Sequence, residues 1–129
     1  MGKIDYLLDT NIIIDFLGGK LSKDGELFLN PIIDKGPKVS IITKIELLCF
    51  NSSDEDNKLL IDFINDSSVS QLTEDIVNTT INIRKNHKIK LPDAIIASTA
   101  LVEKTSLVTR NISDFIKVND LNIINPYDL

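Results

Sequence analysis

Residues 4–17 read IDYLLDTNIIIDFL, and the reading of this stretch decides the fold. Residues 4–8 form an apolar run too short for a helix, which predicts a buried strand. Ile12, Ile13 and Ile14 open a second apolar run, and Asp9 stands between the two. A carboxylate is seldom placed in such surroundings unless something pairs with it. Asp9 is therefore either the cap of a helix that begins near Thr10 or one piece of a site. Asp15 follows a helical turn and a half later with no comparable set of partners, and is expected to be solvated.

Working outward, residues 39–42 (VSII), 69–72 (VSQL), 106–109 (SLVT) and 121–124 (LNII) are further strand candidates. Helical patterns lie between them. Residues 56–66 place Leu59, Leu60, Phe63 and Ile64 on one face. Residues 74–87 open on Glu74-Asp75 and close on Arg84, Lys85 and His87, the charge order that suits a helix dipole. Residues 92–104 open on Pro92, a good first helical position, and carry Ala94, Ala97 and Ala100, which permit close packing on a sheet. Gly18-Gly19 and Gly36-Pro37 mark turns. Pro31 is expected to kink or end the helix around Glu26–Leu29. Strands alternating with helices predict α/β architecture, a parallel sheet covered on both faces.

The composition narrows the class of function. The chain has 129 residues, 43% of them hydrophobic and 26% charged, about the size of one domain spanning residues 1–129. Its single cysteine, Cys49, excludes an internal disulfide framework and a cysteine-based zinc site. The N-terminus lacks a basic stretch followed by an apolar core, and no apolar run approaches membrane-spanning length, so a cytoplasmic protein without a membrane anchor is expected. A net charge of −5 argues against a broad nucleic-acid face. The exception is a protein whose acids are gathered into one site that holds divalent cations.

Positions then matter more than totals. In a parallel α/β sheet each crossover helix starts at the carboxyl edge of the strands, where open folds of this kind bind ligands. Asp9 directly follows the first strand. Glu46 is expected in the first turn of the helix after the second strand, Asp93 in the first turn of the helix leading to the fourth, and Asp114 within five residues of that strand's end. All four belong on one edge. Each also has a local reading: a cap for Asp9, a capping box for Thr43–Glu46, a dipole partner for Asp93, and a polar turn around Asp114. Convergence is what caps do not require. Carboxylates about 4 Å apart repel by roughly 4 kcal/mol at an effective dielectric near 20, so such a group takes up protons or a cation. Oxygen-only ligands suit Mg²⁺ or Mn²⁺. Arg110 can pair with at most one of the four.

The segments LLDTNIIIDFL, TKIELL, LPDAIIAS and LVTRNISDF, in this order and spacing, resemble the PIN-domain family, and within it the VapC-type toxins of toxin–antitoxin pairs. The resemblance runs from the first strand to the last. It implies a three-layer α/β/α fold with a central five-stranded parallel sheet. It also implies a nuclease that hydrolyses RNA phosphodiester bonds with one or two Mg²⁺ or Mn²⁺ ions, leaving 3′-hydroxyl and 5′-phosphate ends. Asp9, Glu46, Asp93 and Asp114 match the family's catalytic, metal-binding carboxylates, with Asp9 and Asp93 as direct ligands. The neighbouring polar positions match Thr10 or Asn11, Thr43, Thr109 and Asn111. The implied partners are RNA, a small VapB-like antitoxin and a second copy of the chain in a homodimer. Apolar residues near Leu17, Leu21, Leu27 and Phe28 are candidates for the antitoxin surface, although core packing explains most of them.

The segment RKNHKIK, residues 84–90, puts Arg84, Lys88 and Lys90 just ahead of Asp93. These residues are either a cationic helix end or contacts to an RNA backbone, and Arg110 is the other candidate for touching phosphate. His87 belongs with this cationic end. A housekeeping RNA-processing nuclease and an inactive PIN scaffold are the alternatives to a toxin, and the intact acids argue against the second. A phospho-receiver domain is disfavoured because one acid, not two, follows the first strand. Neither a dinucleotide fingerprint nor a P-loop occurs.

Overall fold

The computed structural model describes residues 5–129. Ile4, expected to open the first strand, lies outside the described residues. Five short strands alternate with helices: β1 (Tyr6–Leu8), β2 (Lys38–Ser40), β3 (Ser68–Ser70), β4 (Ser106–Val108) and β5 (Ile123–Ile124). They form one parallel sheet in the order β3-β2-β1-β4-β5. The helices are α1 (Thr10–Leu17), α2 (Lys23–Asp34), α3 (Ile41–Leu48), α4 (Asp54–Asn65), α5 (Glu74–Asn86), α6 (Leu91–Glu103) and the short α7 (Ile112–Phe115), followed by a 3₁₀ turn at Pro126–Asp128.

The period of two in the strands sorts the core into two layers. Leu8, Val39 and Val108 point to one face and pack with Ile12, Ile13, Leu29, Phe63 and Ile64 of α1, α2 and α4. Leu7 and Leu107 point to the other and pack with Ala94, Ala97, Ala100 and Ile83 of α6 and α5. The three alanines let α6 lie close against the strands. Every residue from Ala94 to Ala100 is buried, so α6 is a central helix rather than an amphipathic one. The buried hydroxyls of Ser98 and Thr99 are satisfied within the helix, donating to the Ala94 and Ile95 carbonyls at 2.7 Å each.

Pro31 does not end its helix, and the second strand and the helix after it meet earlier than the sequence pattern suggests. Pro31 lies inside α2, which continues to Asp34. Its missing N–H deprives the Leu27 carbonyl of a helical donor, and Leu27 is 60% exposed, so water can take that place. The second strand ends at Ser40 instead of Ile42 because Ser40 caps α3, its hydroxyl accepting from the Ile42 N–H at 3.0 Å. The helix thus starts two residues before Thr43, and the Thr43–Glu46 capping box does not form. Thr43 becomes a buried interior residue, and Glu46 moves from the first turn to the second.

Candidate active site

β1 and β4 are adjacent, with Leu8 paired to Val108, so the residues just past each strand end meet. The Asp9 N–H donates to the Val108 carbonyl at 2.9 Å, which carries the ladder one step further. Asp9 is only 4% exposed and does cap α1: its Oδ1 accepts from the Thr10 N–H at 2.8 Å. Its Oδ2 accepts from the Thr109 hydroxyl at 2.7 Å and from Asn11 Nδ2 at 3.1 Å. The cap and the site are one residue. Burial pushes the Asp9 carboxyl up; the bonds from Thr109, Thr10 and Asn11 oppose that shift, and the charge of Glu46 adds to it.

Glu46 is joined to this group through Thr10, whose hydroxyl donates to Glu46 Oε1 at 2.6 Å. The Thr10 and Thr43 hydroxyl oxygens lie 3.1 Å apart. A carboxylate only accepts, and Thr10 has one hydroxyl proton, so Thr43 donates to Thr10 and Thr10 to Glu46. Thr43 therefore reaches Glu46 only through Thr10. Asn111, which the sequence places beside Asp114, instead donates its backbone N–H to the Thr109 hydroxyl at 3.1 Å and so fixes the rotor that holds Asp9.

Asp93 sits in the first turn of α6 and Asp114 in α7. The Asp93 carboxyl is pushed up to about 6, first by burial and then by the charges of Asp9, Asp114 and Glu46. Asp93 thus feels the other three acids, and the four form a gradient from buried Asp9 through half-buried Asp93 to exposed Glu46 and Asp114. Among the described residues no three of them close on a point tightly enough to enclose an ion unaided. Carboxylate oxygens are nonetheless the kind of donor Mg²⁺ takes, one or two of them together with waters and substrate phosphate. The donor set fits such a cation.

The raised pKa of Asp93 has a measurable cost. The folded chain holds a proton on this group up to about pH 6, whereas the unfolded chain releases it near 3.8. The folded state binds more protons between these values, so stability falls as pH rises through them. Asp93→Asn is therefore expected to stabilise the chelator-treated protein above pH 6 by about 1 kcal/mol, allowing for the solvent screening of a half-exposed group. Thermal melts in EDTA at pH 7 and near pH 4 check this, because the gain should vanish at the lower pH.

The sequence reading missed a second network and misplaced Arg110. Asp15 is buried, not solvated. Its Oδ2 accepts from Arg110 Nη1 and from the Tyr127 hydroxyl, at 2.8 and 2.7 Å. The bond to Asp15 raises the Tyr127 pKa. Arg110 thus pairs with none of the four site acids, while its backbone N–H donates to Asn11 Oδ1 at 3.2 Å. The clamp ties α1, the segment after β4 and the C-terminal turn together beside the site. A signal was available: Asp15 lies three residues after buried Ile12, on the same helix face.

Lys88, Lys90 and Arg84 line a cleft of about 430 Å³ together with Asp93, Asp114 and Lys117. A larger hollow, about 670 Å³, is bounded by Tyr6, Phe28, Pro31 and Lys38 at the amino edge, the opposite end of the sheet from the acids. Among the described residues no helix is long and apolar enough to cross a membrane.

A parallel α/β sheet with a cluster of carboxylates at its carboxyl edge is the class that fold and site define. The PIN domain profile matches residues 6–121, and the chain belongs to that family. Its structure is similar to that of a toxin–antitoxin complex from Klebsiella pneumoniae, with 26% identity and a TM-score of 0.78 over 97% of this chain and 100% of that one. DNA-bound VapBC from Salmonella typhimurium aligns at 20% identity and 0.78, over 96% and 99% of the two chains. FitAcB from Neisseria gonorrhoeae aligns at 21% and 0.77, over 96% and 99%. No curated protein sequence matches.

Proposed function

We propose that the chain is a VapC-type toxin, a divalent-metal-dependent endoribonuclease held in check by a small antitoxin. The observation that carries the chemistry is the gathering of Asp9, Glu46, Asp93 and Asp114 at one sheet edge, where Asp9 is held by Thr109, Asn11 and Thr10, and Glu46 by Thr10. Asp9 and Asp93 would hold Mg²⁺ or Mn²⁺, with Glu46 and Asp114 completing the set directly or through water. The cation supplies Lewis-acid stabilisation of charge on the scissile phosphate and activation of the attacking water. Thr109, Asn11 and the Thr10 N–H fix both oxygens of Asp9 before any ligand arrives. Thr10 orients Glu46 from the other side. Such outer bonds keep ligands in place and tune their basicity.

The toxin assignment is supported by a similar solved structure that is itself a toxin–antitoxin complex. The reading takes a VapB-like antitoxin as the partner and a homodimer of this chain as the core of the complex. The test is incubation of the purified protein with total RNA in Mg²⁺, Mn²⁺ or EDTA, followed by mapping of cut ends. Cleavage only with metal supports the reading, and no cleavage in any condition removes it. Arrest of growth on expression, relieved by co-expressing a small adjacent reading frame, distinguishes a toxin from a processing enzyme.

A further inference from the structure

We infer that the cleft where α5 ends, α6 begins and α7 is followed by Lys117 binds a backbone phosphate of single-stranded RNA, one flanking the phosphate at the acids. This deepens the nuclease reading and rests on it. Arg84, Lys88, Lys90 and Lys117 share this cleft with Asp93 and Asp114. Opposite charges in one hollow would ordinarily pair. Among the described residues, however, the ion pairs are Lys38–Asp5 and Arg110–Asp15, and neither lies here. The cations stand beside the acids without closing on them as ion pairs, although the charge of Lys90 does reach Asp93.

Two of the cations are braced by backbone. Arg84 Nε donates to the Ile89 carbonyl at 3.2 Å, and Lys117 Nζ donates to the Lys88 carbonyl. Each bond uses one donor of several and leaves the rest for an anion. The start of α6 faces the same cleft through Lys90 and Asp93, and that helix end has no side-chain cap. Its open N–H groups add to the positive potential. The chain as a whole carries −5, so a polyanion drawn to the acids needs local compensation where it leaves them. This cleft provides it. Lys117 had no motif to announce it. Arg110, by contrast, is held on Asp15 and is not part of this site.

The test is the salt dependence of binding of a labelled single-stranded RNA in EDTA, measured by fluorescence anisotropy. Lys88→Gln/Lys90→Gln/Lys117→Gln is expected to bind about tenfold more weakly at low salt. Its plot of log affinity against log salt should be shallower by about 0.7 for each phosphate no longer neutralised. All three residues are exposed, so the fold should persist, and a thermal melt checks this. The corresponding arginine variant should keep the wild-type slope. Lys35→Gln/Lys38→Gln/Lys104→Gln, at the amino edge, changes net charge equally and should also keep it. Equal slopes in the cleft and amino-edge variants would overturn the proposal while leaving cleavage by the wild type intact. A wild-type protein that binds RNA through this cleft but never cuts it would instead remove the nuclease reading alone. Failure of the wild type to bind RNA in EDTA would also overturn the proposal, while the nuclease reading would still stand or fall on metal-dependent cleavage.

Discussion

Asp93→Asn protein is expected to fold, to melt no lower than wild type at pH 7 in EDTA, and to cleave RNA at least about a thousandfold more slowly. The size follows from the charge removed. An anionic ligand that positions a catalytic cation contributes several kcal/mol to transition-state stabilisation, and each 1.36 kcal/mol is a factor of ten in rate. The substitution keeps shape while removing the charge that Asp9, Asp114 and Glu46 repel. Lost activity with retained stability therefore cannot be put down to unfolding. Asp9→Asn should lose as much activity but is a less simple variant. An amide still caps α1, yet it turns a donor toward Thr109 or Asn11, where the carboxylate accepted from both. Cleavage of an RNA panel under Mg²⁺ and Mn²⁺ measures the effect, and wild-type rates for Asp93→Asn would sink the site assignment.

Arg110→Ala is expected to lower stability by about 2 kcal/mol, toward the low end for breaking a buried pair because one partner is open to water. The Asp15 side chain is 6% exposed and that of Arg110 50%. Removing the guanidinium leaves a buried carboxylate with the Tyr127 hydroxyl as its remaining side-chain partner. Adding Asp15→Asn in the same protein should recover more than half of the loss, since the neutral amide costs less to bury unpaired. Denaturant melts of the two single variants and the double variant give the coupling energy directly. A cycle that closes to zero would show that the pair contributes nothing to the fold. The same variant should bind RNA with the wild-type salt slope, because Arg110 lies outside the basic cleft.

Much of the architecture was legible in sequence because its causes are local. Short apolar runs bounded by turns mark the strands; the helix starts at Thr10 and Glu74 follow from a cap and a charge order, and α6 starts at Leu91, one residue before the proline expected to open it. Errors occurred where two local signals competed. Ser40 and Thr43 can each cap a helix, and the choice of Ser40 moved Glu46 by a turn. Pro31 is a breaker by its own chemistry, but α2 runs through it to Asp34 where the residue that loses its helical donor, Leu27, is exposed.

The sequence by itself determined the class of fold and the edge on which Asp9, Glu46, Asp93 and Asp114 fall. Strand period and helix direction are properties of consecutive residues, and in a parallel sheet they assign each acid to an end. Only the tertiary structure decided which groups touch. The placement of β4 beside β1 brings Thr109 to Asp9 across 100 positions, and the chain's return to α1 brings Arg110 and Tyr127 to Asp15. Strand order and register set those meetings, and no local pattern encodes them. Of the three aspartates of IDYLLDTNIIIDFL, Asp5 is exposed while Asp9 and Asp15 are buried, one within a polar site and one within an ion pair, and the difference lies in what the rest of the chain places beside each.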